Sequence, residues 1–338
     1  MIPDPHPSLP SPAMPDGPLL FARLLDGEGG ARALGWSEAQ AWQPARPGEV
    51  LWTHLDRTMP DVRPWLSGAL GIRPPTLDLL VSDSTRPRAF REGDTLVATL
   101  RAINFNPGAE PEDMVSLQLW SDGARVVTLR RLPLQTTRDI VQELNEARGP
   151  VDAGALITRL IEHIITRMSA AIIDLNDQID ELDRRQVRGT PDAMVSEIAE
   201  VRRGALALQR HMGPEHVALE SISRDAPDWF EDHDRREIGE TIFRLKRYLE
   251  DIDISKESAV VLMDELRARA LARSDRTNYL LTLVATIFMP LTFLTGLIGM
   301  NVEGIPYATD PQAFWWIVLL CLALVFGMVL LFRWWKWL

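Results

Sequence analysis

The stretch YLLTLVATIFMPLTFLTGLIGM, Tyr279 to Met300, decides how this chain is read. It carries no charge, and as a helix it would be roughly 33 Å long, enough to cross the hydrocarbon core of a bilayer. A second uncharged run, AFWWIVLLCLALVFGMVLLF from Ala313 to Phe332, would reach roughly 30 Å by the same rise. Between Arg276 and Arg333 the only charges are Glu303 and Asp310, both in the short connection. A buried helix of this length without charges is rare in a soluble protein, and two in tandem are rarer. The chain therefore reads as an integral membrane protein with spans at about 279–300 and 313–332.

Basic residues set the expected orientation. Arg267, Arg269, Arg273 and Arg276 precede the first span, Arg333 and Lys336 follow the second, and the connection NVEGIPYATDPQ contains neither Lys nor Arg. The positive-inside rule places both termini in the cytosol. Trp315–Trp316, Trp334–Trp335 and Trp337 fall near the two ends of the second span, as interfacial anchors do.

The spans differ in kind. The second is uniformly bulky and apolar, which suits lipid. In the first, Asn278, Thr282, Ala285, Met289, Thr292 and Gly296 follow steps of 4, 3, 4, 3 and 4, a seven-residue repeat that places small, polar or soft side chains on one face. Two readings compete. Small and hydroxylated residues let membrane helices pack closely, or the stripe lines a watery path in which hydroxyl and amide oxygens hold an ion's hydration water. Two spans cannot enclose a pore, so the second reading requires a ring of subunits around span one. Pro290 lacks an N–H and frees the carbonyl of Thr286, which is tolerable where neighbours or pore water satisfy it.

Working outward, residues 1–18 form a Pro-rich tail without the basic start or apolar core of a signal peptide. Residues 19–150 read as a mixed α/β domain. FARLLD, VLWTHLD, LVATLRAINF, VSLQLW and RVVTLRR are strand-like runs, SDGA at Ser121–Ala124 makes a hairpin, and helices fall near Pro64–Gly71 and Thr137–Arg148. Residues 151–276 read as a helical stalk. Leu156, Leu160, Ile164, Met168, Leu175, Ile179 and Leu182 form one seam. Gly189-Thr190-Pro191 ends that helix, with Thr190 as cap and Pro191 opening the next, which Gly213-Pro214 is expected to break; a short third piece ends at Asp225-Ala226-Pro227. From Arg235 the pattern Ile242, Leu245, Leu249, Ile252, Val260, Met263, Leu266 runs without a stop signal into the first span. One helix from Arg235 to about Gly299 would be roughly 100 Å long. Such a stalk could carry a cytosolic event to the membrane. Residues 277–338 form the transmembrane domain. The fold class is α+β, with an N-terminal cytosolic α/β domain, a long helical stalk and two C-terminal transmembrane helices.

Charge and composition exclude several classes. The net charge of −11 argues against nucleic acid, which needs a basic face. Cys321 is the single cysteine, so neither an intramolecular disulfide nor a Cys-rich zinc knuckle can form. His54, His163, His211, His216 and His233 lie in the soluble part and read as surface or packing residues; His211 and His216, across a Gly-Pro break, have a poor spacing for a metal. No P-loop, nucleophile elbow, HExxH or kinase signature is present, and the chain is not expected to be an enzyme.

The first span, LTLVATIFMPLTFLTGLIGMN at Leu281–Asn301, resembles that of the CorA superfamily of divalent metal-ion transporters, and it ends in the superfamily's Gly-Met-Asn signature, Gly299-Met300-Asn301. LLDGEGG at Leu24–Gly30, STRPR at Ser84–Arg88, TLRAIN at Thr99–Asn104, GIP at Gly304–Pro306 and the terminal KWL are similar to the zinc-transporting ZntB branch. Met300 and Glu303 depart from that branch, and Met300 is closer to magnesium-carrying members.

This resemblance implies a homopentamer in a bacterial inner membrane, a cytosolic funnel, and span one as the pore wall. It implies Zn²⁺ as cargo, with proton coupling, and keeps Mg²⁺, Co²⁺ and Ni²⁺ open; no resident cofactor is implied. It assigns Asn301 to the outer mouth, where an amide oxygen accepts hydrogen bonds from the ion's water shell without trapping the ion. Glu303 beside it would concentrate cations, or be a solvated loop charge. Thr292 and Gly296 would offer oxygens and room, Met289 and Leu281 would form apolar constrictions, and Asn278, with Asp275 beyond it, would line the cytosolic end. Stalk acids such as Glu250, Asp251, Asp253, Asp264 and Glu265 are candidates for a regulatory metal, though a solvated helix face explains each of them better.

Overall fold

The computed structural model describes residues 17–109, 113–185, 191–300 and 312–335. These fall into two compact units that meet between Met263 and Asp264.

The first unit is built on a seven-stranded mixed sheet in the order β2-β1-β3-β7-β6-β5-β4. The strands are β1 (Leu19–Leu25), β2 (Ala31–Leu34), β3 (Leu51–Asp56), β4 (Arg88–Glu92), β5 (Thr95–Ala102), β6 (Val115–Ser121) and β7 (Arg125–Arg130). Five were legible as β-branched and aromatic runs. The two that were not, β2 and β4, are the sheet's edges: short, with Arg32 on one and Arg88 and Arg91 on the other. Charge on a short edge blunts unwanted pairing, and the same charge hides a strand from a hydrophobic-pattern reading. The SDGA turn does join β6 and β7 antiparallel. Gly123 takes φ +86° there, and a Cβ on it would meet the Trp229 ring at 2.7 Å.

Helices α2 (Val62–Leu70) and α3 (Pro74–Val81) cover one sheet face. Leu66 and Leu80 pack there with Leu55, Val97, Val127 and Leu129, all nearly or fully buried. The remaining helices of this part are α1 (Trp36–Ala41) and α4 (Gln135–Asn145). His54 is buried beside Trp52, and both ring nitrogens, His54 Nδ1 and Trp52 Nε1, lie 2.8 Å from Thr128 Oγ1. Burial pushes the imidazole down to about 3, so it stays neutral and serves packing.

Three long helices follow: α5 (Ala153–Arg185), α6 (Pro191–Asp225) and α7 (Asp232–Ile298). All seven seam residues expected on α5 are buried. The expected break at Gly213-Pro214 is absent: α6 runs straight through it. Proline costs a helix its i−4 hydrogen bond, roughly 3 kcal/mol, but α6 is held on both sides of the site. Met212, Ala218, Leu219 and Ile222 are buried, Glu215 Oε2 accepts the Arg101 N–H at 3.0 Å, and Ser221 Oγ donates to the Ala89 carbonyl at 3.0 Å. Tertiary packing overrides the local signal. The helix does end at Asp225, before Ala226-Pro227, as expected.

Within the first unit α7 buries Ile238, Leu245, Ile252, Ala259 and Leu262 on steps of seven or three. Val260, expected on that face, is instead exposed. In the second unit α7 continues to Ile298, and α8 (Ala313–Trp334) forms the other apolar helix. Both helices contain stretches long and apolar enough to cross a membrane, and none of either stretch is buried in the protein. An uncovered apolar surface of that size is sustained by lipid rather than water.

Candidate cation path

The geometry of span one shows which of its faces the protomer itself covers. Along α7 the positions of reduced exposure are Leu283, Ile287, Pro290, Leu291, Leu294 and Ile298. At about 100° per residue these cluster on one side, and Asn278, Thr282, Ala285, Met289, Thr292 and Gly296 cluster roughly 180° away. Every one of those six is exposed, Met289 at 71%, and Leu281 flanks them at 63%. The face that the chain itself covers is therefore the bulky apolar one. The small and polar stripe is not used for packing inside the protomer.

The hydroxyls on this helix are oriented by its own backbone. Thr282 Oγ1 donates to the Asn278 carbonyl at 2.8 Å, and Thr286 Oγ1 to the Thr282 carbonyl at 2.7 Å. The hydrogen is thereby consumed locally, and the oxygen lone pairs remain as acceptors. An acceptor-only surface suits a cation's water shell. The space at Gly296 is open, with no side chain within 4 Å of where a Cβ would sit.

Counted back in the same seven-residue register, the stripe reaches Asp275, Leu271, Ala268 and Asp264, all exposed. Taken by itself, the first unit shows an equivalent exposed row on α7: Val261, Glu257, Ile254, Glu250, Arg247 and Phe243. From Val261 to Glu250 acids thus alternate with apolar residues on the face opposite the buried one, and Arg247 and Phe243 complete the row. The buried heptad does not reveal this second row, in which Glu250 and Asp264, named above as stalk acids, recur with Glu257 at intervals of seven.

The other expected sites fare differently. Gly299 and Met300 follow the end of α7, and the Gly299 N–H donates to the Thr295 carbonyl at 2.8 Å. Asn301 and Glu303 lie outside the described residues. Asp253 is held by Lys256 Nζ and Gln209 Nε2, each at 2.8 Å, and these donors keep its carboxyl below the usual range. Asp264 pairs with Arg267 at 3.5 Å and Glu265 with Arg269 at 3.6 Å. His163 meets Glu143 at 3.1 Å and Asp139 at 3.7 Å, but Arg159 and Arg167 share those carboxylates, so the cluster is an ion-pair network. Among the described residues no group of three ligands is placed to hold a metal ion.

The family model described as CorA-like Mg²⁺ transporter protein matches residues 47–333. The chain belongs to this family. CorA proteins are divalent-cation transporters of the membrane, which move their cargo rather than transform it. The chain is 36% identical over 321 residues to the divalent cation transporter CmaX of Pseudomonas aeruginosa, covering 94% of each. It is 33% identical over 325 residues to the zinc transport protein ZntB of Pectobacterium carotovorum, covering 94% of this chain and 96% of that one. The solved structure of full-length CmaX superposes with a TM-score of 0.82 at 34% identity, over 97% of this chain and 98% of that one. In this CorA-family chain the sheet domain, long helix and two apolar helices form the architecture expected from the sequence.

Proposed function

We propose that the chain assembles as a homopentamer in the bacterial cytoplasmic membrane and conducts a divalent cation, Zn²⁺ first, along the Asn278–Gly296 stripe of span one. Both termini lie in the cytosol, Asn301 and Glu303 stand at the outer mouth, and Met289 and Leu281 narrow the path. Transport is coupled to protons. The observation that carries this reading is the exposure of the stripe on the side of α7 opposite the covered face. A strict heptad seam on an exposed helix calls for further copies of that helix, since a lone straight helix drifts about 20° per heptad away from it. The zinc assignment draws on the ZntB relatives, which are named zinc transport proteins. With no His or Cys among the proposed stripe residues, the ion passes hydrated, its water held by threonine and amide oxygens.

Purified protein in liposomes with an ion-sensitive dye tests this. Saturable Zn²⁺ flux, reduced by Asn301→Ala and altered by an imposed pH gradient, is the expected result. Flux of Mg²⁺, Co²⁺ or Ni²⁺ without Zn²⁺ would move the ion assignment alone. Absence of flux for all four would end the reading.

A further inference from the structure

Two segments singled out in the sequence, STRPR and TLRAIN, play no part in the membrane path. In the first unit they come together. Thr85 of one and Arg101 of the other line a cavity of about 190 Å³ with Arg57, Asp83, Ser116 and Arg131. The cavity sits at one end of four adjacent strands. Arg57 follows β3, Arg131 follows the parallel strand β7, Ser116 lies near the start of β6, and Arg101 near the end of β5. Outside the carboxyl ends of strands is where open α/β sheets bind ligands.

Its charge is unbalanced. Three guanidinium groups face one carboxylate. Asp83 Oδ1 takes hydrogen bonds from Arg57 Nη2 at 3.0 Å and Arg131 Nη1 at 3.4 Å. Arg57, whose side chain is 5% exposed, also donates to the Val81 and Ser82 carbonyls at 3.2 and 2.9 Å. Arg57 is therefore a strut that keeps Asp83 in place. Arg101 has no such occupation. Among the described residues its guanidinium donates to nothing, and its buried Nε is left without a partner, as is that of Arg57. Glu215 acts on the Arg101 guanidinium through its charge only, and spends Oε2 on the Arg101 backbone N–H. Burial pushes the Glu215 carboxyl up to about 8 against the pull of the Arg101 N–H and charge, which weakens it as a counter-ion. A half-buried cation without an acceptor is costly, and an anion supplied from outside removes that cost.

We propose that this cavity binds a tetrahedral oxyanion of the phosphate type, held by the guanidinium groups of Arg101 and Arg131 and the hydroxyls of Thr85 and Ser116. Charge-assisted guanidinium–oxyanion bonds are short, strong and frequently bidentate. The volume selects the ligand's size. It lies below the roughly 300 Å³ at which cavities begin to enclose drug-sized molecules. It holds one oxyanion and a few waters, whose share is about 30 Å³ each. The ligand is either free inorganic phosphate or the phosphate end of a larger molecule whose remainder stays in solvent. This site is distinct from the cation path and stands whether or not the stripe conducts.

The test uses the full-length protein in detergent. Thermal midpoint and isothermal titration are measured with sodium phosphate, with AMP, and with sodium chloride at matched ionic strength. Saturable stabilisation by phosphate or AMP beyond the chloride effect is expected, and the stronger of the two identifies the source. Arg101→Gln should weaken apparent affinity by about tenfold or more. Arg131, with a side chain 61% exposed, offers a second variant without risk to folding: Arg131→Gln should weaken binding with an unchanged midpoint in the absence of ligand. A phosphate effect no larger than chloride's overturns the proposal, and so does wild-type affinity in both variants.

Discussion

Helix α7 behaves differently on the two sides of Met263. Below it the helix hides one heptad of apolar residues, Ile238, Leu245 and Ile252 among them, and shows another in which Val261, Glu257, Ile254 and Glu250 alternate. Above it almost every position is exposed, and the least exposed are leucine, isoleucine and proline. The same backbone repeat is thus read by two solvents, water as far as Arg276 and lipid from about residue 279. In water, burial identifies the important face, because apolar groups leave solvent. In lipid it cannot, because an exposed leucine is already at home. There the chemistry of the uncovered face carries the information: hydroxyls, an amide and a glycine on the side that the chain leaves open.

Glycines test the contrast most sharply, and the largest effect lies in the first unit. A Cβ on Gly154 would land well inside contact distance of the Asp234 carboxylate. That carboxylate cannot step aside. It is fully buried, accepts the Glu231 N–H at 3.0 Å and faces His233 Nε2 at 3.2 Å. Gly154→Val should cost about 3 kcal/mol or more, seen as loss of folded protein by size exclusion and a steep drop in thermal midpoint.

A second effect in that unit has a pH signature. Glu215 is fully buried, and desolvation raises its carboxyl from 4.5 to about 8. Below pH 4.5 both folded and unfolded chains hold the proton. Between that value and about 8 the unfolded chain has lost it while the fold keeps it, so the native state binds more protons and stability falls as pH rises. Glu215→Gln keeps the shape and the acceptor for the Arg101 N–H. It should flatten the fall and raise the thermal midpoint at pH 8 by several degrees, with little change at pH 4.5. A parallel pH profile in mutant and wild type would contradict the buried-acid assignment.

In the membrane the comparison turns from stability to flux. Gly296 of α7 and Gly327 of α8 both have open space where a Cβ would go. Leucine at either position should leave the protomer folded. Only Gly296→Leu puts bulk on the stripe, and it should reduce cation flux by at least about tenfold. Gly327→Leu should stay within about threefold of wild type, the range of a packing effect. Equal losses would mean that the stripe is a packing face.

Legibility in the sequence followed the same division. The spans, the unbroken α7 and five strands were readable because each has an uncompromised period: 2 in the sheet, 3.5 to 3.6 in the helices. β2 and β4 were hidden by the arginines that protect the edges. The expected break at Pro214 was overruled by contacts from Ala89 and Arg101, which are distant in sequence. Stripe residues were readable as a pattern, but their separation from the covered face needed coordinates. Glu215 and the Arg101 cavity were illegible for a simpler reason. A buried acid beside an arginine looks like any other solvated pair until the burial of both is known.

The smallest effect probes the hydroxyl argument itself. Thr282 Oγ1 and Thr295 Oγ1 each bond the carbonyl four residues back, Asn278 and Leu291, at 2.8 and 2.9 Å, and Thr295 Oγ1 also lies 3.2 Å from the Thr292 carbonyl. At about 100° per residue Thr282 lies on the stripe and Thr295 roughly a quarter turn from it. Valine has nearly the shape of threonine but removes the acceptor. Thr282→Val and Thr295→Val should therefore change stability alike, by about 0.5 kcal/mol or less. Their effects on flux should part: about threefold lower for Thr282→Val and unchanged for Thr295→Val. The pair shares its main local bond and differs chiefly in direction, so a difference in flux with equal stability measures what the stripe faces. If Thr295→Val proves the more damaging, the path runs along another side of α7.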